Sequence, residues 1–88
     1  MEILVGNKPV KNYVLYVLAT LPKEDKVLIK ARGRSIAKAV DVAEILKRKG
    51  ELLQGSITIG TDVLKDKETQ KDIRVSTIEL VLTKAVSK

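Results

Sequence analysis

The 88-residue chain has 17 basic and 11 acidic residues and a net charge of +6. That balance favours polyanionic partners, because attraction to phosphate is long-ranged and largely independent of sequence. It has no Cys and no His, which excludes a disulfide framework, a thiolate nucleophile, a Ser–His pair and the usual transition-metal ligands. Neither catalysis, a bound cofactor nor a small-molecule substrate is therefore expected.

The opening EILV, Glu2 to Val5, predicts a short apolar strand, ended by the turn former and proline of GNKP, Gly6 to Pro9. From Pro9 to Leu21, Val10, Val14, Val17, Leu18 and Leu21 fall on one helical face. Pro22 then blocks continuation. KVLIKA, Lys26 to Ala31, predicts a strand whose near-continuous apolar run implies burial on both faces. After Gly33, Ser35 to Lys49 predicts a second helix in which Ile36, Ala39, Val40, Ala43 and Leu46 share a face, with Val42 at its edge. Lys47, Arg48 and Lys49 oppose the negative end of its dipole, and Gly50 is the expected C-cap.

SITIG, Ser56 to Gly60, alternates as a strand and extends towards Leu64. The last strand runs from Ile73 to Thr83, with Ser76, Ile78, Leu80 and Leu82 on one side and Thr77, Glu79 and Thr83 on the other. Between them KDKETQKD, Lys65 to Asp72, is too polar for core and predicts a long hairpin tip. The order strand, helix, strand, helix, strand, strand predicts an α/β (α+β) two-layer sandwich in one domain over residues 1–88. One sheet of about four strands would carry both helices on one face, with the hairpin reaching beyond the body.

A core of Ile, Leu, Val and Ala, without Phe or Trp, in a chain of this length buries only about 60 to 65% of the unfolded surface. Oligomerisation is a natural supplement. No apolar run approaches the roughly 20 residues of a membrane span, and no basic-then-apolar leader opens the chain. A soluble intracellular protein without a membrane partner is the expectation.

Chemistry concentrates in KARGRS, Lys30 to Ser35. Arg32 and Arg34 flank a glycine between a strand end and a helix start, where free amide N–H groups and the positive dipole end favour a phosphate oxygen. The bland alternative is a turn glycine with two solvated arginines. Lys8, ahead of the proline, and Lys11, one turn on, make a similar offer, equally readable as a solvated helix face. At the hairpin tip Lys65, Lys67 and Lys71 are partly cancelled by Asp62, Asp66, Glu68 and Asp72. Those residues alone read as a soluble loop, although a Lys-bearing ribbon suits backbone contacts in a groove. Asp41 and Glu44, beside Lys38 and Lys47 or Arg48, read as ordinary ion pairs on a helix. Tyr13 and Tyr16 are the only aromatics and read as partly buried helix residues, not a stacking platform. KARGRS holds no Asn or Gln of the kind that reads base edges, which leaves backbone binding.

VGNKPVKNYV (Val5 to Val14), IKARGRSIAKAVDVAEI (Ile29 to Ile45) and RVSTIEL (Arg74 to Leu80) together resemble the Alba family of archaeal chromatin proteins. The resemblance implies a fold like the C-terminal domain of bacterial translation initiation factor three. It also implies a cytoplasmic, chromosome-associated homodimer that binds double-stranded DNA with little sequence preference, and RNA as well. By that likeness Lys8, Arg32 and Arg34 lie on the nucleic-acid face, and Lys65, Lys67 and Lys71 lie on arms that follow the minor groove. Arg74 stands at the arm's base, and Lys11 offers a charge one turn beyond Lys8. The alternative is an RNA-binding protein or a subunit of an RNA-processing or ribosome-associated particle. Two departures stand out: Asn7 occupies a position where many members carry an acetylatable lysine, and KGELLQG lacks the aromatic that joins dimers side by side in some members.

Overall fold

The computed structural model describes residues 1–21, 25–50 and 52–84. Along the chain come β1 (Glu2–Leu4), α1 (Val10–Thr20), β2 (Lys26–Arg32), α2 (Ser35–Lys49), β3 (Leu52–Lys65) and β4 (Asp72–Lys84). The strands form one sheet in the order β1-β2-β4-β3, with β1 parallel to β2 and the other pairs antiparallel. This is the α+β sandwich expected from the sequence.

Alternation along the strands decides which face is core. Ile3, Val27, Ile29, Ala31, Ile78, Leu80 and Leu82 all point to one side and are buried. Against them α1 sets Val14 and Val17, and α2 sets Ala39, Val42, Ala43 and Leu46. Ile29, Leu46, Leu82, Val17, Val27 and Val42 are the largest fully buried side chains, each contributing about 1.5–3 kcal/mol by leaving water. No helix among the described residues is long and apolar enough to cross a membrane.

Several local expectations shift. Only one face of β2 is covered: its burial alternates, with Leu28 and Lys30 half-exposed on the side away from the helices. On α2 the buried stripe is centred on Val42, which is fully buried, whereas Val40 is 40% exposed. Helix α1 contributes to the same core. Tyr13 is half-buried as expected, but Tyr16 is exposed. Pro9 is the N-cap of α1 rather than its first helical residue. Gly50 caps α2 without a left-handed backbone, its N–H donating to the Leu46 carbonyl at 2.8 Å. Pro22, expected to end α1, lies outside the described residues.

The third strand starts at Leu52, four residues before the alternation at Ser56 becomes legible, because the register with β4 slips between Gln54 and Ile57. Its far end outruns the sheet. The last β2 partner of β4 is Thr77, opposite Arg32, while β3 and β4 stay paired out to Lys65 and Asp72. Five residues per strand therefore project beyond the end of β2 as a two-stranded ribbon, about 17 Å at roughly 3.4 Å each. The molecule measures 55 × 24 × 19 Å with a radius of gyration of 14.7 Å, against about 12 Å for a compact chain of this length.

Candidate nucleic-acid interface

Because β1 and β2 run parallel, both end at the same end of the sheet, and their exits carry the two basic loops. The Val5 N–H donates to the Lys30 carbonyl at 2.8 Å, so the ladder holds until the loop bearing Lys8 begins. The antiparallel β4 passes Thr77 beside Arg32, placing the base of the arm at that same end. Strand pairing thus gathers Lys8, Arg32, Arg34 and the arm's root, although Lys8 and Arg32 are far apart in sequence.

The R-G-R turn has a defined shape. Gly33 has φ +58°, a left-handed backbone that disfavours a side chain, and its N–H donates to the Ser76 carbonyl at 2.8 Å. The turn is therefore stitched to the root of the arm. Arg34 follows as the N-cap of α2, and among the described residues no side chain caps that helix start; the Ile36 N–H donates to the Gly33 carbonyl at 3.2 Å, and the other first-turn amides and the positive dipole end remain open beside an exposed guanidinium. Arg32 points to the sheet face without helices, 3.7 Å from Asp62 on β3, with both side chains about half exposed.

Lys30 shares that open face but is engaged. Its ammonium lies 3.2 Å from Glu2 and 3.9 Å from Glu79. The hydrogen bond to Glu2, then the charges of Glu2 and Glu79, raise its pKa above the ordinary lysine value. By contrast, among the described residues Lys8, Lys11, Arg34, Lys65, Lys67, Lys71 and Arg74 pair with no carboxylate.

Lys8 sits on a braced loop. The Tyr13 hydroxyl accepts from the Gly6 N–H at 2.8 Å and the Lys8 N–H at 3.3 Å. The Lys38 ammonium, on α2, donates to the Gly6 carbonyl at 3.1 Å and the Lys8 carbonyl at 2.8 Å. Lys38 is thus not an ion-pair partner of Asp41, whereas the expected pairing of Glu44 with Lys47 is present at 3.1 Å. Lys11 lies exposed in the first turn of α1, close behind.

The remaining cations lie along the arm. Lys65 ends β3 opposite Asp72, Arg74 faces Val63 across the ribbon, and Lys67 and Lys71 belong to the tip. That tip is a shaped turn: Gln70 has φ 62°, its N–H donates to the Asp66 carbonyl at 2.8 Å, and Asp66 Oδ1 accepts from the Glu68 N–H at 2.8 Å. On the helix side of the sheet, the outer strand leaves Ile57, Ile59 and Val63 exposed at 56%, 78% and 60%. Ile59 lines an open groove with Ile36, Thr61, Ser76 and Ile78.

Strand pairing therefore groups Lys8, Lys11, Arg32 and Arg34 at one end and spreads Arg74, Lys65, Lys67 and Lys71 outward along the arm. The sequence reading missed Lys38, Tyr13 and Asp62. Lys38 acts through a contact between distant elements, Tyr13 folds back on the loop just before its own helix, and Asp62 lies across β4 from its partner.

The Alba family model matches residues 1–61. The chain belongs to the Alba family. The protein named DNA/RNA-binding protein Alba from Methanococcus maripaludis is 43% identical over 86 residues, covering 93% of this chain and 96% of its own. DNA/RNA-binding protein Alba 1 from Archaeoglobus fulgidus is 46% identical over 86 residues, covering 94% of each. The solved structure of Alba from Thermoplasma volcanium matches with a TM-score of 0.85 at 39% identity, covering 96% of this chain and 100% of that one.

Proposed function

We propose that this Alba-family protein binds double-stranded DNA without sequence preference, as a homodimer that coats or compacts the duplex by neutralising its phosphates. The observation that carries this reading is the meeting of Lys8, Arg32 and Arg34 at the sheet end where an uncapped helix starts and the arm begins. Guanidiniums and open amides there suit phosphate oxygens. The relatives named above are described as DNA/RNA-binding proteins, which supports a nucleic-acid ligand and keeps RNA as the second one.

The dimer is supported by the outer strand. Ile57, Ile59 and Val63 form an apolar row on β3, an edge strand with no strand paired to its outer side among the described residues. A long exposed edge with an apolar face is a pairing liability unless something covers it, and a second copy brings the same row by symmetry.

Replacing both Arg32 and Arg34 with Ala tests the binding reading. Each duplex phosphate contact adds about 0.9 to the slope of log K against log salt, so the double variant should flatten it by roughly 2 units per bound protomer. Duplexes of unrelated sequence should weaken alike. An unchanged slope would remove the turn from the binding face. Crosslinking in cells with sequencing of both nucleic acids decides the ligand, and recovery of discrete RNAs with little DNA would replace the chromatin reading with the RNA one.

A further inference from the structure

Loops between elements are ordinarily the mobile parts of a domain, yet the loop that carries Lys8 is held at four backbone atoms by two side chains. Tyr13 Oη, from α1, takes the N–H groups of Gly6 and Lys8. Lys38 Nζ, from α2, gives two of its three N–H donors to the carbonyls of the same two residues. Pro9, next in the chain, has no N–H to satisfy and is held extended at φ −60° and ψ 151°. The polar backbone on either side of Asn7 is thereby satisfied from the two helices, while Lys8 projects its own side chain to solvent.

The origin of the second brace matters as much as its length. Lys38 lies one turn into the helix whose N-cap is Arg34, so the same rigid element fixes the R-G-R turn at one end and grips the Lys8 loop with its first turn. A cation engaged with carbonyls makes charge-assisted bonds, stronger than neutral ones. The loop and the turn are linked through α2 and not merely adjacent.

We propose that Lys38 and Tyr13 are positioning residues of the nucleic-acid face, clamping Gly6 and Lys8 so that the Lys8 ammonium is held at a set spacing from Arg34. This rests on the nucleic-acid reading given above. The clamp fixes the Lys8 backbone relative to the start of α2 and removes the ordering cost that a free loop bears on binding. Lys38 is not itself a phosphate ligand in this account. Its role is exerted through Lys8.

Two measurements separate the clamp from the reading it rests on. The first needs no nucleic acid: amide hydrogen exchange of the free protein, compared among wild type, Tyr13→Phe and Lys38→Met. Tyr13→Phe removes two hydrogen bonds and no charge. Both variants should speed exchange at Gly6 and Lys8 while leaving core amides such as Ile29 protected, and Lys38→Arg should restore protection. Unchanged exchange at Gly6 and Lys8 in both variants would overturn the proposal.

The second is duplex affinity in two backgrounds. With Lys8 present, each variant should weaken binding by about two- to tenfold, the range set by ordering one long side chain. In Lys8→Ala protein neither should have further effect. A loss of about 0.9 in salt slope from Lys38→Met in that background would make Lys38 a direct phosphate ligand and overturn its positioning role. If wild type has no salt-dependent affinity, the functional reading fails on its own, and exchange still decides the clamp.

Discussion

The turn end of the sheet and the arm that grows from it are both rich in cations, but they handle charge differently. Residues 61–76 hold Lys65, Lys67, Lys71 and Arg74 against Asp62, Asp66, Glu68 and Asp72, four against four. The arm is thus neutral, and the whole net charge of +6 lies in the rest of the chain. At the turn end Lys8, Lys11 and Arg34 have no carboxylate partner among the described residues, and Arg32 has one, borrowed from the arm. The edge strand that leads into the arm carries instead an exposed apolar row, Ile57 and Ile59 beside the body and Val63 in the arm itself. On the proposed function, attraction to phosphate is concentrated at the base, reach is assigned to the arm, and self-association to the edge strand that leads into it.

Separating those two roles gives the largest expected effect. Ile59→Glu places a charge in the middle of the apolar row. It should turn a dimer into a monomer by sedimentation at micromolar concentration and lower duplex affinity on the order of a hundredfold through lost bivalency, with the folded body intact by circular dichroism. A dimer that survives this change would assign the row some other partner. Next comes Lys8→Ala, which should flatten the salt slope by about 0.9 per protomer, as befits one unpaired cation at the base.

A smaller and opposite effect is expected where the two regions touch. Asp62→Asn frees Arg32 from its arm partner, and because exposed pairs are worth about 0.2–1 kcal/mol, duplex affinity should rise by roughly two- to fivefold. A fall would mean that Asp62 orients Arg32 rather than competes for it. The smallest concerns Lys30. Its raised pKa in the folded state makes the Glu2 interaction fully stabilising below the unfolded lysine value, with loss only as pH rises through the folded value. Thermal unfolding of Glu2→Gln should therefore trail wild type slightly at neutral pH, and the gap should close in alkaline solution.

Much of the body was legible because its core follows simple periods. Every second residue at the end of β4, and the helical spacing of Val14, Val17 and Leu21, point inward as the pattern requires, whereas the near-continuous apolar run of β2 read as buried on both faces and is covered on one. The misreadings occur where a neighbour decides. On α2 both Val40 and Val42 fit an apolar stripe, and only the packing decides that Val42 is the buried one and Val40 the exposed one. The start of β3 was hidden by an irregular register around Gly55, where an added Cβ would come within 3.0 Å of the Val81 carbonyl. Ile57 and Ile59 alternate like core residues, yet both remain more than half exposed.

At the candidate site, the R-G-R pattern was readable from local spacing alone. The clamp was not, because Lys38 reaches back 30 and 32 residues to its carbonyls and its neighbourhood in sequence offers an acid, Asp41, as a nearer partner. Tyr13, read as a half-buried helix residue, is one, and its hydroxyl has the additional task of holding the loop.

The division between base and arm is tested most directly by salt titration of two variants side by side: Arg32→Ala with Arg34→Ala, and Lys65→Ala with Lys67→Ala and Lys71→Ala. The account predicts that the first, removing two charges, flattens the slope by roughly 2 units per protomer, and that the second, removing three, flattens it by less. A larger change from the arm variant, or none from the arginine variant, would contradict it.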